Sequence, residues 1–134
     1  MVDFSTLRIV VIDDDAFFRA TLRQQLSRLG CTDGTNIVEA GDGAEGLVEC
    51  ARVRPELILC DIAMEPINGL EFISQLRRAE WAGATTVPVI FVTSHSEIDT
   101  VRQAARVGGG AFLVKPILLR TLKDKIESLL AKSN

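Results

Sequence analysis

RIVVIDDD, residues 8–15, and ELILCD, residues 56–61, together decide the fold. Each is a short apolar or β-branched run behind one leading charge, and each runs directly into aspartate. A strand apolar on both faces must be covered on both, which is the pattern of a parallel sheet with helices above and below it. Residues 87–92 (VPVIFV) and 111–114 (AFLV) are apolar throughout and read the same way, as strands buried on both sides. Residues 36–40 (NIVEA) make a fifth, weaker run, and its one charge predicts a sheet edge.

Between these runs the apolar period changes to that of a helix. Phe18, Leu22, Leu26 and Leu29 recur every three or four residues, with Gly30 as a stop. Ala44, Leu47, Val48 and Ala51 follow the turn Gly41-Asp42-Gly43, and Leu70, Ile73 and Leu76 follow Asn68-Gly69. Ile98, Val101, Ala104 and Ala105 precede a glycine run, and Leu119, Leu122, Ile126 and Leu129 come last. Five alternations of strand and helix predict an α/β fold with helices on both faces of a parallel sheet. The longest irregular stretch, residues 79–86, holds Trp81, which reads as a partly buried loop anchor rather than a binding hot spot.

A chain of 134 residues, 47% hydrophobic, is the size of one domain and can bury a core. Its net charge of −3 disfavours direct nucleic-acid binding. No apolar run approaches the about 20 residues that span a bilayer, and residues 1–7 lack the pattern of a signal peptide. Cys31, Cys50 and Cys60 are odd in number and widely spaced, so they read as reduced thiols in a cytoplasmic protein.

In open α/β sheets, ligands bind beyond the carboxyl ends of the strands. Asp13-Asp14-Asp15 follow the first strand, Asp61 the third, Thr93-Ser94 the fourth and Lys115-Pro116 the fifth. Acids, hydroxyls and an amine therefore gather at one edge from four segments. Two carboxylates ~4 Å apart repel by about 4 kcal/mol at an effective dielectric near 20. Either one is protonated or a cation bridges them, and clustered hard oxygens favour Mg²⁺. A lysine and a hydroxyl beside such a cation are the parts that phosphoryl transfer needs. Asp61, alone at the end of an apolar strand, suits a nucleophile that forms an aspartyl phosphate, and the pair Asp13 and Asp14 suits metal holding.

These residues carry a resemblance. VVIDDD with Asp13 and Asp14, LILCD ending in Asp61, VTS beginning at Val92, and VKP with Lys115 and Pro116 are together specific. Over almost its whole length the chain resembles a response-regulator receiver domain, most closely the chemotaxis (CheY-like) type. The resemblance implies a flavodoxin-like (βα)5 fold with strand order 2-1-3-4-5. No output domain follows Leu130, so the expectation is a single receiver domain over residues 1–134, either a single-domain regulator or a fragment of a longer one. In this resemblance Asp61 is the phosphoacceptor. Asp13, Asp14, Asp61 and the backbone carbonyl of Ala63 hold Mg²⁺, with Asp14 the direct ligand of the pair. Thr93 and Lys115 bind phosphoryl oxygens, the Lys115-Pro116 peptide is cis, and Phe112 is the switch aromatic. Ala63 and His95 occupy positions that modulate hydrolysis, with His95 mattering more. The implied partners are a histidine kinase or phosphotransfer protein and a target bound through the face of the fourth helix, fifth strand and fifth helix. A homodimer is compatible with this. The chain would be a phosphoacceptor signalling protein rather than an enzyme, working in the cytoplasm without membrane contact.

Three departures from the family pattern stand out. Pro66 comes one residue late, after Met64-Glu65, which opens the shape of residues 62–68 to question. Asn68-Gly69 replaces Asp-Gly, and with no tyrosine in the chain Phe112 has no phenolic hydroxyl. Asp15 directly precedes the first helix and reads as its N-cap rather than a metal ligand. Two alternatives compete: a receiver-shaped adaptor working without phosphate, and a magnesium-dependent aspartyl phosphatase of the haloacid-dehalogenase type, superficially matched by Asp13-x-Asp15. Against the phosphatase, Phe17 departs from its opening motif, no acidic pair follows Lys115 closely, and there is no room for a cap.

Overall fold

The computed structural model describes residues 2–31 and 36–132. Strands and helices alternate as β1 (Ile9–Ile12), α1 (Ala16–Leu29), β2 (Ile37–Ala40), α2 (Gly43–Val53), β3 (Leu57–Asp61), α3 (Gly69–Arg77), β4 (Val89–Thr93), α4 (Ile98–Gly108), β5 (Ala111–Val114) and α5 (Leu119–Lys132). The strands form one parallel sheet in the order β2-β1-β3-β4-β5, the flavodoxin-like arrangement expected. From β1 the chain goes to one side to make β2, then returns to make β3 on the other. The carboxyl ends of β1 and β3 therefore meet at the point where strand order reverses. The register aligns Ile12 with Cys60, Asp61 with Val92 and Thr93 with Val114. The residues ending or following four strands thus share one edge.

Strand alternation splits the core in two. Val10, Ile12, Ile58, Cys60 and Phe91 face Phe72, Ile73 and Leu76 of α3 and Val101 and Ala104 of α4. Ile9, Val11, Leu57, Leu59 and Ile90 face Leu22 and Leu26 of α1 and Leu122 and Ile126 of α5. Trp81 is half-buried against the first cluster, as a loop anchor should be. All three cysteines are free and buried, and burial pushes the Cys50 thiol up to about 12, which fits core residues rather than reactive thiols.

Two sequence expectations fail here. β5 was expected to be buried on both faces, but it is an edge strand: of its four residues only Leu113 is buried, and Phe112 is 40% exposed. An apolar run records what a strand can bury, not whether the sheet continues past it. On α2, the expected face of Ala44, Leu47, Val48 and Ala51 is rotated. Gly43, Gly46 and Cys50 point inward, with Leu47 and Val53 partly buried, while Val48 is 65% exposed. The cause is close approach. A Cβ on Gly46 would lie 2.5 Å from Ile12 Cδ1, and one on Gly43 would lie 2.5 Å from Ile67 Cγ1. A reading based on hydrophobic side chains passes over glycines used in this way. The strand limits also shift slightly. Pro88 has no N–H to donate, so β4 begins at Val89 rather than Val87, and Asp61 and Thr93 are the last residues of their strands.

Arg77 ties the α3–α4 side together, donating from Nε to the Gly108 carbonyl at 2.8 Å and from Nη1 to the Ala84 carbonyl at 3.1 Å. Arg77→Met leaves both acceptors unpaired and is expected to cost about 1–3 kcal/mol. Equal urea midpoints for the two proteins would contradict this.

Candidate functional site

Asp13 and Asp14 follow β1, and Asp61 ends β3. One carboxylate oxygen from each lies within 4.8 Å of the other two. Asp13 is 1% exposed and Asp61 is 8% exposed, whereas Asp14 opens to solvent. Asp13 Oδ1 accepts the Asp15 N–H at 2.8 Å. Its Oδ2 is buried with no hydrogen bond, and Lys115 Nζ stands 3.7 Å away, an ion-pair contact beyond hydrogen-bond length. Burial and the Asp13 charge push the Asp61 carboxyl up to about 6, against the opposing pull of Lys115 and of the Ala63 and Ile62 backbone N–H groups. Burial also raises Asp13, opposed by the Asp15 N–H and Lys115 and reinforced by Asp14 and Asp15. A buried carboxylate oxygen without a donor, in a group of three acids, fits a hard divalent cation such as Mg²⁺. The group contains no histidine or cysteine, so it does not suit zinc.

The other expected residues close around this group. Thr93 is fully buried, and its hydroxyl donates to the Ser94 carbonyl at 3.1 Å. The Lys115 N–H donates to the Thr93 carbonyl at 2.7 Å, joining the two loop starts, and the Lys115-Pro116 peptide is cis as expected. Ala63 is exposed and lines a cleft of about 440 Å³ with Asp14, Ile62, Met64, Glu65 and Glu97. In the loop of the late proline, the Glu65-Pro66 peptide is also cis, Met64 is buried and Glu65 is exposed. Asn68 caps α3, its side chain accepting the Glu71 N–H at 2.9 Å. Asp15 caps α1, accepting the Phe17 and Phe18 N–H groups at 2.9 and 3.4 Å, and stands outside the acidic group. This use of Asp15 removes the second acid of the phosphatase-like reading from the site. His95 opens a short 3-10 turn, residues 95–97, between β4 and α4, and its side chain lies outside the described part of the structure.

Two features were not found in the sequence. The Lys115 ammonium lies 4.1 Å from the centroid of the Phe18 ring, a residue read only as core. Arg19 holds the backbone of the acidic pair, donating from Nη1 to the Asp13 carbonyl at 2.6 Å and from Nε to Glu39 at 3.1 Å. Arg23, one turn on, donates to Glu39 at 3.0 Å and to the Ile37 carbonyl at 2.7 Å. The available signal was two arginines at i and i+4 on α1 with one acid inside a short strand. Burial acts to raise the Glu39 carboxyl, but Arg23 and Arg19 outweigh it and hold it below the usual range. A depressed carboxyl contributes stability above its unfolded pKa and loses it as pH falls through the folded one. Glu39→Gln is expected to lower stability at neutral pH by under about 1 kcal/mol, since the pair is a third exposed. The difference should close in acid. Thermal melts parallel at every pH would exclude this role.

The family model described as "Response regulator receiver domain" matches residues 9–127. Among curated proteins, the chain is 31% identical over 128 residues to the transcriptional regulatory protein PrrA of Mycobacterium leprae, covering 96% of this chain and 52% of that protein. The chain spans about half the length of the curated relatives it matches first. Among solved structures, chemotaxis protein CheY4 of Vibrio cholerae superposes with a TM-score of 0.81 at 22% identity, covering 92% of this chain and 98% of that one. The receiver domain of sensor histidine kinase PA1611 of Pseudomonas aeruginosa, solved with a magnesium ion in its active-site cleft, gives a TM-score of 0.81 at 19% identity over 93% and 98% of the two chains. At these identities the structural likeness establishes the fold, and the family match adds the lineage. With the acidic group, Thr93 and Lys115 gathered at the sheet's switch point, the chain belongs to the receiver domains of two-component response regulators.

Proposed function

We propose that Asp61 accepts a phosphoryl group from the phosphohistidine of a histidine kinase or phosphotransfer protein. The observation that carries this reading is the largely buried Asp61 carboxylate at the end of a buried strand, grouped with Asp13 and Asp14. Asp13, Asp14, Asp61 and the Ala63 carbonyl would hold Mg²⁺, as the acid set allows and as the magnesium-bound cleft of the Pseudomonas receiver supports. When bound, the ion neutralises charge on the phosphoryl oxygens. An Asp61 oxygen attacks phosphorus. The new O–P bond forms as the P–N bond to the donor imidazole breaks, and the electron pair returns to the ring nitrogen. The product carries about two negative charges. Lys115 pairs with one phosphoryl oxygen, and the Thr93 hydroxyl leaves the Ser94 carbonyl for another. Phe112, its ring part-exposed at the sheet edge, then packs inward, and the α4–β5–α5 face changes. The Ala63 methyl cannot hold a water, so His95 matters more than Ala63 for hydrolysis of the acyl phosphate. The chain acts as a signalling phosphoacceptor in the cytoplasm rather than as a turnover catalyst. Among the described residues no helix is long and apolar enough to cross a membrane.

The test is incubation with acetyl phosphate and Mg²⁺, read by intact mass and peptide mapping. One phosphoryl group on Asp61 is expected. An unchanged mass, under conditions that modify a control receiver, sinks the proposal. A chemotaxis-type target would be a separate protein bound through the α4–β5–α5 face. The half-length match to a transcriptional regulatory protein favours a second readout, in which the same face signals to a transcription-regulating segment of a longer polypeptide. A natural polypeptide about twice this length would support that second readout.

A further inference from the structure

We propose that Phe18 is a positioning residue for Lys115, holding its ammonium beside the acidic group with its N–H donors free for the incoming phosphoryl oxygens. This rests on the phosphoacceptor reading of Asp61. Lys115 Nζ lies 4.1 Å from the Phe18 centroid and 3.7 Å from Asp13 Oδ2. The second distance is too long for a hydrogen bond, and Asp13 Oδ2 has no hydrogen-bond partner. The lysine is therefore drawn toward the carboxylates without being locked to them. An aromatic face attracts a cation through its quadrupole but offers no lone pair that a donor must later give up. A lysine tied to Asp13 by a short hydrogen bond would have to break it before meeting phosphate, and the ring avoids that ground-state loss. The Lys115 side chain is 31% exposed, and its flexible four-carbon stem also needs something to limit its rotamers.

Phe18 itself is well placed for this. It stands on the first turn of α1, where its N–H reaches the Asp15 cap. Its ring is half-buried and packs against the cluster that α1 and α5 share, together with Ile117. The Gln25 side chain donates to the Ile117 carbonyl at 2.7 Å, pinning the segment after Lys115 to the same helix. The ring and the lysine are thus anchored on two elements whose separation is set by packing and a hydrogen bond.

Phe18→Leu keeps an apolar side chain and removes the aromatic face, whereas Phe18→Tyr keeps the ring. With acetyl phosphate below saturation and Mg²⁺ in excess, the Leu variant is expected to take up phosphate about fivefold more slowly, the factor that corresponds to about 1 kcal/mol. The Tyr variant should match wild type, and Mg²⁺ affinity by calorimetry should be equal in all three. A second readout does not depend on uptake. The Lys115 side-chain ε-methylene resonances should be shifted upfield by the ring current in wild type and the Tyr variant, and return to ordinary positions in the Leu variant. A Leu variant as fast as wild type, a Tyr variant as slow as Leu, or Lys115 resonances at ordinary positions in wild type would each overturn the proposal. A wild-type protein that takes up no phosphate at all overturns the Asp61 reading, and a persisting ring-current shift would separate that failure from the absence of the Phe18 contact.

Discussion

Asp61→Asn is expected to abolish phosphoryl uptake and, in the same protein, to raise the stability of the metal-free chain at neutral pH. The first effect follows from loss of the attacking oxygen, since an amide is a poor nucleophile toward phosphorus. The second follows from the electrostatics of the site. Burial and Asp13 hold the Asp61 carboxyl at about 6, above its unfolded value. The folded chain therefore binds this proton more tightly than the unfolded chain does. The stability this supplies is present in acid and is lost as pH rises through about 6. Above that, the ionised carboxylate costs the fold about 2–3 kcal/mol at about 1.4 kcal/mol per pKa unit. An uncharged asparagine removes the cost, so the variant should melt higher at neutral pH and equally in acid. Excess Mg²⁺ should narrow or reverse the ranking, because ligand binding to the native state favours the protein with all three carboxylates. Coincident metal-free melting curves at neutral pH would refute the stability half of this prediction. Uptake by the variant would refute the other half.

Gly69→Ala is expected to damage both the fold and the site. Gly69 is the first residue of α3, and its N–H donates to the Ile62 carbonyl at 2.8 Å. An added Cβ would lie 2.7 Å from Ile62 Cδ1, 2.9 Å from Ile62 Cα and 3.0 Å from the Asp61 carbonyl oxygen. The first atom can rotate away, but the other two are backbone. Alanine normally favours a helix over glycine by about 1 kcal/mol, so the sign must be decided by the clash. Overpacking against fixed atoms costs about 1–3 kcal/mol, and the backbone here cannot yield without moving Asp61 itself. The expected result is a net loss of stability together with slower uptake, since the Ile62 and Ala63 N–H groups that steady the Asp61 carboxylate lie in the displaced segment. A neutral or stabilised variant, measured by chemical denaturation, would contradict the close packing described.

Much of the fold was legible because strand burial and helix periodicity leave direct marks in residue type. The apolar runs before Asp13 and Asp61 announce strands covered on both faces, and β1 and β3 are buried throughout. The site was legible because strand ends in such a sheet share one edge, so four polar punctuation marks had to meet. The misreadings have a common origin. The α2 face was misjudged because Gly43 and Gly46 have no side chain to register on any hydrophobic pattern, although both are buried. β5 was misjudged because nothing within AFLV says that no further strand lies beside it.

The order of residue types along the chain by itself determined the elements, the two-sided core and the placing of Asp13, Asp14, Asp61, Thr93 and Lys115 at the strand ends as the candidate set. Only the tertiary structure decided how those groups stand to one another. It gave Asp13 a buried, unpaired oxygen, set the Asp61 carboxyl up to about 6, brought Arg19 to the Asp13 carbonyl and laid Lys115 over Phe18. The physical reason is that local sequence sets backbone preference and burial, which act over a few residues. Desolvation, charge pairing and ring contacts depend on distances between segments up to a hundred positions apart, such as Phe18 and Lys115, and these exist only once the sheet and its helices have packed.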